Sequence, residues 1–179
     1  MPEKRNILIP DGTIALLQMS VRPGGYNDET LCLEAGFGTQ AKSGAIYLRS
    51  KVKILAGSHK EKSFSVPIGI FSDKGDQWRD RGRELVREIL NSSQGLSASD
   101  NSRRAVAGRI IKSYSILDGI CFVGVVGVTK NQRGKEENNI SRVLNGDHEE
   151  YQDLVSSKKF VPARKIPPPS EPSSPMWRR

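Results

Sequence analysis

The chain has 179 residues, 36% of them hydrophobic and 27% charged, with a formal net charge of +8. That length suits one ordinary domain with appendages and one substantial core. It carries no apolar run near the roughly 20 residues that span a bilayer, because the longest, 120–128, is short and broken by Gly124 and Gly127.

The N-terminus, MPEKRNILIP, lacks a long apolar stretch, so no signal peptide is expected. Cys32 and Cys121 stand far apart, which predicts two reduced thiols rather than a disulfide framework or a zinc site. The positive charge is unevenly spread. Residues 42–112 hold 15 basic and seven acidic side chains, and residues 156–179 hold six basic and one acidic; the remaining blocks are net acidic. Such concentration is the electrostatic footprint of a polyanion partner.

The first predicted strand is 12–22, apolar and β-branched enough for burial on both faces, and Pro23-Gly24-Gly25 ends it. Residues 27–43 are Gly-rich and weakly patterned, a long loop or one poor strand. The clearest strand follows. Ile46, Leu48, Val52 and Ile54 alternate with Tyr47, Arg49, Lys51, Lys53 and Leu55, interrupted only by Ser50. A period of two puts the sets on opposite sides of a sheet, one entering the core and the other offering a ring followed by three cations.

After a polar turn at 56–62, a third strand places Phe64, Val66, Ile68 and Ile70 on one face and Pro67, Gly69 and Phe71 on the other. Pro67 cannot donate to a ladder and predicts an edge or bulge. A helix begins near Asp76, with Trp78, Leu85, Val86, Ile89 and Leu90 as its core stripe. Arg79, Arg83 and Arg87 share a face but run beside Asp80, Glu84 and Glu88, so they read as self-paired surface. Gly95 suits the end of that helix. Ser97, Ser99 and Asp100 offer caps for a second helix, which runs to about Lys112 with Val106, Ile110 and Ile111 inward. Arg103, Arg104, Arg109 and Lys112 decorate it with little acidic compensation.

Residues 120–130 predict a buried strand bent at Gly124 and Gly127, followed by a polar loop at 131–138 and a last strand at 139–144. A short acidic helix occupies 148–155. Domain organisation is therefore 1–155 folded and 156–179 a basic, Pro-rich, disordered tail. Met176, Trp177, Arg178 and Arg179 at its end read as a docking motif for a protein partner.

No catalytic constellation is legible. His59 and His148 are the only histidines, with no metal-ligand spacing and no phosphate-cradling glycine motif. No enzyme activity, cofactor or metal is expected. Single-stranded nucleic acid requires cations along a groove and rings on which bases stack. Tyr47, Arg49, Lys51 and Lys53 supply both on one strand face, with Phe71, Tyr26 and Phe37 as further platforms. Arg103, Arg104, Arg109 and Lys112 would form a flanking backbone-contact patch. Five strands with helices between the third and fourth match the order of an OB-fold, a partly open barrel. The expected fold class is α+β, mainly β.

An ordered set of segments adds to this. IPDGT at 9–13, RPGG at 22–25, GAIYL at 44–48, ILAG at 54–57 and SVPIGIFSDKG at 65–75 come first. GRELVREILNSSQG at 82–95, RIIKS at 109–113, LDGICFVGVVGV at 117–128, NNISRVL at 138–144 and DHEEY at 147–151 follow. The set resembles a family of uncharacterised phage and prophage proteins similar to phage accessory proteins of single-stranded-DNA-binding, OB-like character. The resemblance implies a role among replication and recombination functions and the cytoplasm of a bacterial host; homo-oligomerisation is left open. The tail departs from the short acidic tail typical of bacterial single-stranded-DNA-binding proteins. A second reading is therefore a phage structural or host-modulating interaction module acting through its basic tail.

Overall fold

The organising strand is β1, Thr13–Arg22, in which Ala15, Leu17, Met19 and Val21 are buried while the alternate side chains face the other way. In the computed structural model, which describes residues 8–163, β1 pairs antiparallel with two neighbours. On one side it meets β4, Ile46–Ile54, with Leu17 opposite Ile54 and Arg22 opposite Arg49. On the other it meets β7, Cys121–Lys130, with Thr13 opposite Val126 and Gln18 opposite Cys121. Strand β8, Glu136–Leu144, returns beside β7 around a bulge between Val125 and Val126.

The described residues form eight strands in one open antiparallel sheet, ordered β2-β3-β4-β1-β7-β8, with β5 and β6 also pairing to β4. Three strands more than the sequence pattern suggested arise in two places. The Gly-rich stretch holds β2, Tyr26–Asp28, and β3, Leu33–Gln40, tied by the Asn27 side chain accepting from Gly36 N–H at 2.6 Å. There Tyr26 and Phe37 pack against the main core rather than standing free as platforms. The predicted third strand is divided by Val66-Pro67 into β5, Ser63–Ser65, and β6, Ile68–Phe71. Ser50, the one polar residue on the buried side of β4, faces the break. Its carbonyl accepts from Val66 N–H at 2.9 Å, and its hydroxyl donates to the Val66 carbonyl.

Helix α1, Gln77–Gln94, crosses from β6 toward β7, and Val86, Ile89 and Leu90 enter the main core with Leu17, Leu48, Val52, Ile68 and Phe122. Gly95 adopts φ 68° and closes the helix, as its position in the sequence predicted. Helix α2 is shorter than expected, Arg103–Gly108, and its cap is Ser102, whose hydroxyl accepts from Ala105 N–H at 3.2 Å. Val106 and Ile110 do not face inward: they are 48% and 58% exposed, while Ile111 packs against the core.

Helix α3, Glu149–Ser156, serves a second, smaller core on the other face of the sheet. Tyr151 and the buried Phe160 meet edge to face at 5.6 Å and cover Val123 and Leu144, with Leu16 and Val125 around them. Packing thus continues past the predicted boundary at 155, and Ala163 N–H still donates to the Ser93 carbonyl at 2.8 Å. No helix among the described residues is long and apolar enough to cross a membrane.

Candidate nucleic-acid interface

Cross-strand register decides what β4 presents. Its buried and outward residues alternate as predicted, so Tyr47, Arg49, Lys51 and Lys53 share one face. Residues directly opposite in a ladder share a face, which adds Gln18 beside Lys53, Ser20 beside Lys51 and Arg22 beside Arg49 from β1. From β5 come Ser63 beside Lys53 and Ser65 beside Lys51.

This outward face has two parts. Toward β7 and β8 it is apolar, Leu16, Val123 and Val125, and α3 with Phe160 covers it. Toward β4 and β5 it is polar and open, with Arg22, Arg49 and Lys51 exposed. Arg22 was missed by single-strand reading, because its partner Arg49 is 27 positions away and only the register brings them together. Two arginines directly opposite repel by a few tenths of a kcal/mol up to about 1 kcal/mol. Among the described residues neither forms a salt bridge, and nor does Lys51. Lys53 differs: its ammonium lies 3.6 Å from the exposed Glu61 carboxylate, a pair of small net value.

The aromatic end of the row is built by α1. Tyr47 lies opposite Gly69 of β6, and the Trp78 ring rests on Gly69. Tyr47 and Trp78 centroids are 6.1 Å apart at an interplanar angle of 46°. Trp78 is therefore not a core residue of α1, as its place in the apolar stripe predicted: it sits in the first turn and is 37% exposed. Phe71, two residues beyond Gly69 on β6, is 40% exposed at the same end.

Of the predicted flanking patch, one of the four cations is taken up by the fold. Arg103, Arg104 and Lys112 are exposed, but α2 rests on α1, where Gln94 Nε2 donates to the Gly108 carbonyl at 2.7 Å. Arg109 is committed to the fold. Its guanidinium donates to Asn91 Oδ1 at 2.8 Å, the Asp100 carbonyl at 2.5 Å and the Ser97 carbonyl at 2.7 Å. It pins the loop before α2 to the end of α1 and is not a free phosphate contact. Met176, Trp177, Arg178 and Arg179 lie outside the described residues.

Among the described residues no group of three or more His, Cys, Asp or Glu side chains is placed to hold a metal ion. A scan against protein-family models found no match, and neither did a search of curated protein sequences.

Proposed function

We propose that this chain is a non-enzymatic, phage-type single-stranded-DNA-binding protein that grips its ligand on the outward face of β4 and β1. The observation that carries the reading is the cross-strand pair Arg22–Arg49, continued by Lys51 along β4. Like charges held opposite each other on an open sheet weaken the fold, and a bound polyanion relieves the repulsion. Local rules are broken in this way where a site is maintained.

The rings Tyr47, Trp78 and Phe71 at one end of the row favour an unpaired strand over a duplex, whose bases are already stacked. Stacking on a ring is worth about 1–3 kcal/mol per base. The run from Tyr47 to Lys53 spans about 20 Å at the usual strand rise.

An OB-like barrel is the fold this reading favours. In its support, β1 pairs with both β4 and β7, β7 and β8 form the last hairpin, and α1 lies between β6 and β7 in chain order. Strands β5 and β8 approach each other without a hydrogen-bonded ladder. The phage affiliation rests on the ordered segments between 9 and 151.

Fluorescence anisotropy with a labelled twelve-nucleotide strand and its duplex tests the proposal. Binding at low salt that favours the single strand is expected; no binding to the single strand at low salt overturns it.

A further inference from the structure

At the end of the cation row away from Tyr47, the open face sinks into a depression of about 360 Å³ between β1, β4, β5 and the turn at 118–119. Gln18, Ser20, Lys51, Lys53, Ser63 and Asp118 line it. The volume lies at the lower end of the range for small-ligand sites, which suits a single nucleotide. Its lining is held in place by the protein itself. Val21 N–H donates to Asp118 Oδ1 at 2.9 Å, Gln18 Nε2 donates to the Gly119 carbonyl at 3.4 Å, and the Ser20 hydroxyl donates to the Lys51 carbonyl at 3.4 Å.

The chemistry of this lining is mixed, and the mixture is informative. Lys51 and Lys53 suit a phosphate. Asp118 opposes one, because a carboxylate only accepts hydrogen bonds. A group that satisfies both must carry an anion and a hydrogen-bond donor together. A nucleotide whose base bears an exocyclic amino group does so. Thymine lacks that amine, and its ring N–H lies between two carbonyl oxygens that repel a carboxylate. Among the described residues no donor is found on Asp118 Oδ2.

We propose that this depression seats one base of the bound strand, and that Asp118 makes it select amino-bearing bases over thymine. The proposal rests on the single-strand-binding reading and adds a specificity to it. The second lining amide, Gln18, keeps one N–H and its carbonyl oxygen for the rest of the base edge.

The test uses the full chain and Asp118→Asn, titrated at neutral pH with twelve-nucleotide oligo(dC) and oligo(dT). The asparagine keeps a carbonyl oxygen for Val21 N–H, so the strand edge stays anchored while the carboxylate is lost. The native chain is expected to bind oligo(dC) about fivefold more tightly, the scale of one discriminating contact to a base edge. In Asp118→Asn the ratio falls to near one. Equal binding of the two oligonucleotides by the native chain, or an unchanged ratio in the variant, overturns the base pocket and leaves single-strand binding standing. Failure of both oligonucleotides to bind at low salt overturns the single-strand reading itself.

Discussion

Gly82 of α1 and Gly69 of β6 meet backbone to backbone, so closely that a Cβ on Gly82 would overlap the Gly69 carbonyl oxygen. One turn earlier on α1, Trp78 occupies the space a Gly69 side chain would need: a Cβ there would lie 2.5 Å from Trp78 Cδ2. The two glycines thus set how near the helix comes to the sheet, and with it where the Tyr47–Trp78 pair stands.

Gly82→Ala is therefore expected to destabilise the fold by about 1–3 kcal/mol through overpacking. It also moves Trp78 away from Tyr47, so affinity for single strands falls with stability. Urea unfolding and anisotropy titration measure the two effects. A variant as stable as the native chain would mean that the helix is not in contact with β6 at this point.

Arg109→Ala removes three donated hydrogen bonds to Asn91, Ser97 and Asp100. The expected loss is about 2–3 kcal/mol, since hydrogen bonds from a charged group are stronger than neutral ones and the three are not additive. Its salt dependence of DNA binding should match the native chain, because the guanidinium is not a phosphate contact. Thermal unfolding and a salt titration check the pair of outcomes.

Tyr151 is buried and its hydroxyl donates to the Ser92 carbonyl at 2.5 Å. Burial pushes its ionisation up to about 12. A raised folded value means that the fold favours the neutral phenol. The stabilisation is complete below the ordinary tyrosine range near pH 10 and disappears as pH rises through about 12. Tyr151→Phe is expected to cost about 1 kcal/mol at neutral pH, the value of one hydrogen bond. It should also lose less stability than the native chain between pH 10 and 12. Melting temperatures of both proteins across that range provide the measurement.

The sequence pattern was most legible where one residue period dominated. The alternation along 46–54 placed Tyr47, Arg49, Lys51 and Lys53 on one face, as the burial of β4 bears out. It was least legible where tertiary contacts overrode local pattern. Trp78 fits a helical apolar stripe, yet a glycine beneath it on β6 gave its ring a resting place at the surface. Arg109 resembles its neighbours Arg103 and Arg104 in sequence, and only the fold shows three acceptors converging on it. Arg22 stood alone at a strand end until the ladder placed it opposite Arg49. Proline at 67 signalled an irregularity, but not that Ser50 would bridge it and divide the strand into two.

The salt dependence of oligonucleotide binding tests the central claim most directly. Each phosphate contact to a single strand contributes about 0.7 to the slope of log affinity against log salt concentration. Changing Arg22, Arg49 and Lys51 together to alanine should therefore make that slope shallower by about 2 while the protein remains folded. Parallel slopes for the variant and the native chain would show that the outward face of β1 and β4 does not meet the phosphates, and would contradict the account.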